Sequence, residues 1–505
     1  MKTKKLVALF LSVLLLVSFA AISNASVTAE QNLIYAVDTE PSGLDPHKAT
    51  AHASLRVHKN IYNRLTATDT ELNVIPDLAT EWVYDEAAQT YTFTIREGVK
   101  FHNGREMTAE DVAYSYNRIL NEETASPARN YFTSVEKVEA PNATTVVFTL
   151  TGPDATFLSY TSNNYCAIVP KEVVEENGDL SNVTCGTGPF MMKDYIEGNQ
   201  IVLVKNPDYF VEGEPKLDSV TYVLMKDESA RLNALRTGAV HVAKMTSTSL
   251  PLVQGNSDIT VMDYLSANYD FLGFNLDEGP CADVKVRQAL SMIVNRQEII
   301  DLIYDGYAEV TGPVVVAMRK WAIDLSDNPY YKYDVEAGKA LLAEAGYADG
   351  FELEITAGIT PLTSDVAQVL KSQFDAVGIK TSVVVKESSA AIDDWRNRTH
   401  QSLISSNGGG SDPDRGVGFF FRSTSSVNVW GYNNPEIDKL ADAGKAEMDE
   451  SARQEIYAQA QNILVEEVPN LVLVSPSEFY FVRSNVQGFV ADTYCYDWFT
   501  GVSLQ

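Results

Sequence analysis

The sequence is poor in cysteine and histidine, which number 4 and 6 among its 505 residues. No C-x-x-C spacing occurs, so neither a zinc site nor a dithiol redox motif is indicated. No G-x-S-x-G elbow, H-E-x-x-H pair or phosphate-binding loop is present. His47, His52 and His58 do not have the i, i+4 spacing usual for metal ligands on one helix face, which argues against a metal site. We therefore expect a protein that is not an enzyme and that holds no cofactor and no metal.

Basic residues are scarce as well. Lys and Arg number 39 against 68 Asp and Glu, which gives a formal net charge of −29. A surface of this sign repels nucleic acid and anionic lipid. We therefore expect no nucleic-acid partner, and the even spread of acidic residues is typical of a solvated surface.

Long hydrophobic runs are absent after residue 25. Before that point, a basic start precedes the apolar run Leu6–Phe19, and Ser23-Asn24-Ala25 fits a small-x-small cleavage site. The run is short for a bilayer span and is followed by small polar residues. Residues 1–25 are therefore predicted to be a cleaved signal peptide, with Val27-Thr28-Ala29 as a second candidate site.

The cysteines of an exported chain are compatible with disulfides. Cys166 and Cys185 flank an acidic helix-like stretch, Lys171–Gly178, and are the favoured pair. Cys281 and Cys495 are far apart in the sequence, and we expect both to be free, buried thiols.

Apolar periodicity mixes strands and helices along the whole chain, which is long enough for two or three domains. Period-2 or continuous apolar runs predict strands at Leu33–Val37, Tyr91–Ile95, Thr144–Leu150, Gln200–Val204, Val220–Leu224 and Asp270–Asn275. Helical periodicity is plain at Val284–Tyr304, Val335–Glu344, Ser364–Val377 and Glu450–Val465. The sequence thus predicts an α/β fold.

The most informative segment is Phe101–Arg118, with the sequence FHNGREMTAEDVAYSYNR. Asn103-Gly104 predicts a tight turn after a strand, since both residues tolerate positive φ. Thr108 predicts the start of a helix, and Asp111 three residues later completes a capping box.

This segment resembles the signature of the bacterial extracellular solute-binding proteins of family 5, which include the oligopeptide- and dipeptide-binding proteins of ABC importers. Further blocks resembling that family follow in its order, from about residue 33 to the C-terminus. They are Leu44-Asp45-Pro46-His47, Thr124–Pro127, Gly186–Phe190, Asn206–Phe210, Val284–Ile293 with Asn295-Arg296, Gly431–Asp438 and Asn485–Phe489.

The resemblance implies a two-lobed periplasmic-binding-protein (Venus flytrap) fold with an extra small subdomain in the N-terminal lobe. Lobe I is expected at residues 26–60, 181–274 and 476–505, the inserted subdomain at 61–180, and lobe II at 275–475. Gly273–Asn275 and Pro476–Phe479 would be the two crossing strands.

The implied function is that of a substrate-binding protein, which captures a peptide or similar small solute between the lobes and delivers it to an ABC permease. We expect a monomer. Many relatives carry a lipidated cysteine near the signal cleavage site, whereas this chain has none there. We therefore expect a protein that is free in the periplasm.

The resemblance also implies ligand-binding residues. Glu40, Pro41 and Ser42 lie in the loop before the L-D-P block, and Tyr131 follows the T-A-S-P turn. On the first crossing strand, Tyr269 or Phe271 would face the cleft. The alternative for each aromatic residue is an ordinary place in the core.

The stretch Ser405–Asp414 departs from the family. Peptide-binding relatives commonly have a tryptophan and an aspartate here, and that aspartate pairs with the α-ammonium of the ligand. Alignment on Asp412-Pro413-Asp414 puts Gly409 at the place of that aspartate. We therefore expect weak binding of ordinary free-amine peptides unless Asp412 or Asp414 reaches into the cleft, and we expect Gly409→Asp to raise peptide affinity.

The glycines of that stretch allow two further interpretations. Backbone N–H groups of Gly408, Gly409, Gly410 and the adjoining Ser411 could approach a carboxylate or phosphoryl group, or the loop could merely be flexible. The alternative functions are a binding protein for a non-peptide solute, such as a nickel chelate, an oligosaccharide or another metabolite, and a ligand-sensing receptor domain.

Overall fold

The computed structural model describes residues 30–69, 72–491 and 497–505. The predicted signal peptide and Cys495 lie outside the described residues. The strands are β1 (Asn32–Val37), β2 (Thr66–Thr68), β3 (Val74–Pro76), β4 (Ala79–Asp85), β5 (Thr90–Ile95), β6 (Val135–Asn142), β7 (Thr145–Leu150), β8 (Phe190–Ile196), β9 (Gln200–Lys205), β10 (Ser219–Leu224), β11 (Val242–Met245), β12 (Ile259–Leu265), β13 (Asn268–Phe274), β14 (Ala308–Val310), β15 (Glu352–Gly358), β16 (Lys380–Lys386), β17 (Ser402–Gly408), β18 (Asn470–Val472), β19 (Val474–Arg483), β20 (Val486–Gln487) and β21 (Ser503–Leu504).

The helices are interspersed among these strands along the whole chain, as the mixed periodicity predicts. They are α1 (His52–Ile61), α2 (Ala109–Leu120), α3 (Thr156–Tyr160), α4 (Lys171–Asn177), α5 (Glu228–Thr237), α6 (Val284–Ile293), α7 (Arg296–Ile303), α8 (Val335–Glu344), α9 (Pro361–Asp375), α10 (Ser388–Asn397), α11 (Gly418–Phe421), α12 (Pro435–Ala446) and α13 (Glu450–Glu467). Among the described helices, none is both long and apolar enough to cross a membrane.

One predicted helix is two. The expected helix Val284–Tyr304 breaks between α6 and α7, because Asn295 adopts an extended conformation and its side chain accepts a hydrogen bond from the Glu298 backbone N–H. Asparagine competes for backbone donors in this way and starts a new helix. Apolar periodicity continues across such a break and therefore concealed it.

The segment Phe101–Arg118 folds as its sequence predicts. Gly104 has a φ of 86°, and its N–H bonds the Phe101 carbonyl at 2.8 Å to close the turn. At the start of α2 the Thr108 N–H donates to Asp111 Oδ2 at 2.9 Å, which is one half of the capping box. The helix thus begins at the expected residue.

Two of the family-like blocks are joined by an ion pair. Arg118, at the end of α2, donates to both oxygens of Asp45 at 3.0 and 2.5 Å, and its Nη1 also lies 2.9 Å from His47 Nδ1. His47 Nε2 lies 2.8 Å from the Ala167 carbonyl oxygen. This part of the L-D-P-H block therefore anchors the N-terminal segment to α2.

Three sheets organise the fold. An eight-stranded sheet runs β12-β19-β11-β1-β10-β9-β8, with β14 paired to β19 at its side. A five-stranded sheet runs β16-β15-β17-β13-β18, and a four-stranded antiparallel sheet runs β4-β5-β7-β6. The two larger sheets form the centres of the two lobes, and the smaller sheet packs on α2 around a separate apolar core that includes Phe93, Tyr116, Phe148 and Phe157.

The two crossings between the larger sheets lie side by side. The chain leaves the eight-stranded sheet after Leu265 and enters the five-stranded sheet at Asn268, then returns between Val472 and Val474. The Ser266 N–H donates to the Pro476 carbonyl at 3.0 Å, which ties the first crossing to the start of β19, just after the second crossing. We propose that the first crossing is residues 266–267, earlier than the expected Gly273–Asn275, because all of β13 pairs within the second lobe.

The expected disulfide between Cys166 and Cys185 is wrong. Both are free, buried thiols, as is Cys281. The Cys166 thiol donates to the Tyr160 carbonyl at 3.3 Å. The side chains of Cys166 and Cys185 both belong to the apolar core of the four-stranded sheet. There they act as small apolar residues, the usual role of buried free cysteine.

Candidate ligand-binding site

A cavity of about 720 Å³ lies between the lobes. Its described walls on one side come from β2, β3, the segment around Tyr160 and the C-terminal segment, and on the other from the loop after β17. This volume and a lining of both apolar and polar side chains are typical of pockets that bind small molecules. The cavity is therefore the candidate site.

Direct contacts between the lobes border this cavity. Ser159 Oγ lies 3.0 Å from Ser411 Oγ and 3.2 Å from the Ser411 carbonyl oxygen. The Ala155 N–H donates to the Lys445 carbonyl at 2.7 Å, and Lys445 Nζ lies 3.2 Å from Asp154 Oδ2. The structure is thus a closed arrangement of the lobes.

Tyrosines form one wall of the cavity. Tyr131 lines it, as the resemblance implies for this position, and stacks on Tyr160 with ring centroids 4.5 Å apart. Tyr165 also lines it, and burial, with a further contribution from Tyr131, raises the pKa of its phenol to about 12. The wall therefore offers neutral, flat rings on which a ligand can stack.

The loop before the L-D-P block lies elsewhere. Glu40 Oε2 accepts a hydrogen bond from the Gly198 N–H at 2.8 Å, and Glu40 and Pro41 line a separate small cavity beside α1. The Ser42 N–H donates to Ser54 Oγ at 3.0 Å. None of the three lines the interlobe cavity, so their contact with a ligand stays a prediction that this cavity does not favour.

The two aromatic residues of β13 are core residues. Tyr269 is 1% exposed and Phe271 is 0% exposed, and neither lines the cavity. Phe271 packs edge-on against Trp430 at 5.3 Å. For Tyr269 and Phe271 the structure therefore supports the alternative hypothesis, an ordinary place in the core.

The glycine-rich loop reaches the cavity in part. Gly408, Gly410 and Ser411 line it, as expected. The Gly409 N–H is already bonded to the Ala267 carbonyl at 2.7 Å, and a Cβ at Gly409 would lie 2.5 Å from Val315 Cγ2. An aspartate at 409 would therefore point into packed atoms, which argues against the expected gain in peptide affinity of Gly409→Asp.

Asp412 does not reach into the cavity. It is 3% exposed, and its two oxygens accept hydrogen bonds from Arg453 at 2.7 and 2.8 Å. One of them also accepts the Asp414 N–H at 2.9 Å. Binding of the ligand by Asp412 stays a prediction, and this arrangement does not favour it, because the carboxylate is committed to a buried ion pair.

Asp414 is the second buried carboxyl of this loop. Burial, reinforced by the negative charge of Asp412, raises its pKa from 3.8 to about 6. The folded state therefore holds this proton at a pH where the unfolded chain has lost it, so the contribution to stability grows as pH falls through about 6. Tyr457 OH donates to the carboxyl at 3.2 Å.

We expect this proton to be visible in stability measurements. Between about pH 7 and about pH 5, urea denaturation should show a gain of about 1 kcal/mol that is missing in Asp414→Asn, since a pKa unit is equivalent to about 1.4 kcal/mol. Asp438→Asn, in α12, is the control and should keep the gain. If the free energy of unfolding of Asp414→Asn changes with pH as it does in the unmodified protein, Asp414 is not the group responsible for the gain.

Two arginines of the cavity were missed by the sequence reasoning. Arg415 is half-buried. Its Nε donates to the Gly408 carbonyl and its Nη1 to Tyr131 OH, both at 3.4 Å. Arg64 is 5% exposed, and its Nη1 donates to Asn164 Oδ1 at 2.8 Å. The sequence did contain a signal for Arg415, because it directly follows Asp412-Pro413-Asp414. A residue next to a loop that is expected at the cleft is itself expected near the cleft.

A cavity enclosed between two α/β lobes that are joined by adjacent crossing strands defines a two-lobed binding protein. Comparisons with known proteins give the family. The family model of bacterial extracellular solute-binding proteins, family 5 middle, matches residues 73–428. The chain therefore belongs to this family.

Individual relatives match over nearly the full chain. The dipeptide-binding protein of Escherichia coli K12 is 28% identical over 525 residues, which cover 97% of each chain. The structure of AgaA from A. tumefaciens R10 with agropinic acid has a TM-score of 0.81 at 25% identity, covering 94% of this chain and 99% of that one. AppA from Bacillus subtilis with a nonapeptide has a TM-score of 0.80 at 26% identity, with the same coverage.

Proposed function

We propose that this chain is the substrate-binding protein of an ABC importer, which takes a peptide or similar small solute into the interlobe cavity and delivers it to the permease. The observation that carries the proposal is the enclosed cavity with walls from both lobes. The relatives named for dipeptides and for a bound nonapeptide favour a peptide over the other solutes.

The finer parts of the proposal combine the sequence with the change of sheet between β12 and β13, which moves the lobe bounds from those expected. We propose a monomer that works in the periplasm after cleavage of residues 1–25, with lobe I formed by 26–60, 181–265 and 476–505 around the inserted subdomain 61–180. Lobe II would then be residues 268–472. Transport needs no chemistry from this protein, because a ligand that contacts both lobes stabilises the closed state and so presents a two-lobe surface to the permease.

We expect ligand to close the lobes and stabilise the fold. At a ligand concentration of a hundred times Kd, the free energy of unfolding should rise by about 2.7 kcal/mol, because ligand binds only the native cavity. Small-angle scattering should show a smaller radius of gyration with a di- or tripeptide that raises Tm. Peptides that leave Tm unchanged serve as the control, and binding without compaction would contradict the closure mechanism.

A further inference from the structure

We propose that Arg415 binds a carboxylate of the ligand, with Arg64 adding positive charge from the other lobe. The inference deepens the proposed function and rests on it: the preferred solutes are peptides or peptide-like molecules that present a free carboxylate. Three sets of observations carry it, namely the bonding of Arg415, the charge of the cavity and the state of the cavity's carboxylates.

Arg415 has unused donors. A guanidinium group carries five N–H donors in a fixed fork. Arg453, nearby in the same lobe, donates to both oxygens of Asp412 and to the Gly444 carbonyl at 2.7 to 2.8 Å, and to Tyr457 OH at 3.4 Å. Arg415 makes only two bonds of 3.4 Å and no ion pair with any described residue. Its Nη2 is therefore available to a ligand.

The glycine loop holds Arg415 in place. Gly410 has a φ of +71°, and a Cβ there would lie 2.8 Å from Arg415 Cγ. The absence of that Cβ leaves room for the arginine stem. The guanidinium lies over the Phe419 ring, with its central carbon 4.0 Å from the ring centroid. Stacking of this kind orders a planar fork before the ligand arrives.

The cavity differs in charge from the whole protein. The chain carries 68 acidic against 39 basic residues. The described cavity lining instead contains three cationic side chains, Lys59, Arg64 and Arg415, and two carboxyls, Asp69 and Asp77. Arg64 is almost fully buried, and its Nε has no hydrogen-bond partner among the described residues. A local excess of cations inside an anionic protein favours an anionic ligand group.

The two carboxyls of the described lining are already engaged. Asp69 accepts hydrogen bonds from the Asn73 N–H at 2.9 Å and from Asn73 Nδ2 at 3.0 Å. Asp77 accepts from Asn63 Nδ2 at 2.8 Å and from the Arg64 N–H at 3.0 Å. Within the described walls, a ligand carboxylate would thus meet a guanidinium with unused donors. A ligand ammonium would instead meet carboxylates that already accept hydrogen bonds from the protein.

The test is calorimetry with di- and tripeptides of alanine, leucine and tyrosine, each as free acid, C-terminal amide and N-acetyl acid. Free acids and N-acetyl acids should bind alike, and the amides about ten- to a hundred-fold more weakly, the range of a lost charge-assisted hydrogen bond. Arg415→Gln should lower the affinity for the acids by the same factor and leave the amides unchanged. Ala-Glu-amide has a carboxylate only on its side chain. Its affinity therefore shows whether a side-chain carboxylate can take the place of the C-terminal one.

Matched variants complete the design. Arg396→Gln changes an exposed arginine of α10 in the same lobe, away from the cavity, and should leave the acid-to-amide ratio unchanged. Arg415→Lys keeps the charge without the fork and should recover part of the affinity. Equal binding of acids and amides by the unmodified protein would overturn the inference even if Arg415→Gln fails to fold.

The inference and the proposed function fail in different ways. Peptide binding without a preference for acids, or a preference that survives in Arg415→Gln, overturns the carboxylate site and leaves peptide binding standing. Binding of glutarate alone, lost in Arg415→Gln, supports the carboxylate site and overturns the peptide. If neither the peptides nor glutarate bind, both are overturned.

Discussion

Replacing Asp412 by alanine should lower the free energy of unfolding by about 3–5 kcal/mol, because the change leaves the buried charge of Arg453 without its partner. Both side chains are less than 8% exposed, and two hydrogen bonds join them. The lost carboxylate also caps the turn at residues 413–416 through the Asp414 N–H. Urea denaturation followed by circular dichroism measures the change.

Two comparisons make this result specific. Asp208→Ala removes a pair with Lys100 in which both side chains are about half exposed, and stability should change little, as is usual for surface pairs. The double variant Asp412→Leu with Arg453→Met should lose less stability than Asp412→Ala, because it leaves no buried charge unpaired. A single variant as stable as the unmodified protein would show that the pair is not formed.

Gly186→Ala should be the other strongly destabilising change, by about 1–3 kcal/mol or more. A Cβ at Gly186 would lie 2.1 Å from the Ile61 carbonyl oxygen, at the end of α1. Backbone atoms cannot turn aside as a side chain can, so either α1 or the segment 186–189 must move. That segment is fixed in turn by the Gly188 N–H, which donates to the same carbonyl at 2.9 Å.

Gly152→Ala is the matched control. No atom lies within 4 Å of a Cβ built at Gly152, so the variant should keep its stability. Thermal unfolding of the two variants side by side separates close packing from the general effect of adding a methyl group. Equal Tm values for both would contradict the close approach of the two segments.

The fold was largely predictable because its signals are local. Asn103-Gly104 and the Thr108–Asp111 box specify a turn and a helix start within a few residues. What the pattern could not locate was the break at Asn295, where apolar spacing continues through a cap. Nor could it locate the change of sheet at residues 266–267, because a strand pattern does not say which sheet the strand joins. The expected pairing of Cys166 with Cys185 failed for a related reason, since sequence separation carries no information on whether two thiols meet.

The site was less predictable because its roles depend on distant partners. Asp412 appeared available until Arg453, at the start of α13, was placed against it. Gly409 appeared to be a lost side chain, whereas Val315 and Ala267 occupy the space that such a side chain would need. Tyr131 lines the cavity as the resemblance implied. The role proposed for Arg415 depends on its lack of close partners among the described residues, which the sequence does not reveal.

The position of β19 has a consequence for biosynthesis. This strand lies between β11 and β12 in the eight-stranded sheet, although it is the last long strand to leave the ribosome. Neither neighbour can complete its ladder until residues 474–483 are available, because each pairs with β19 along its length. The first lobe therefore stays incomplete until the chain is almost finished, and such a delay would suit the export in an unfolded state that the proposed periplasmic role requires.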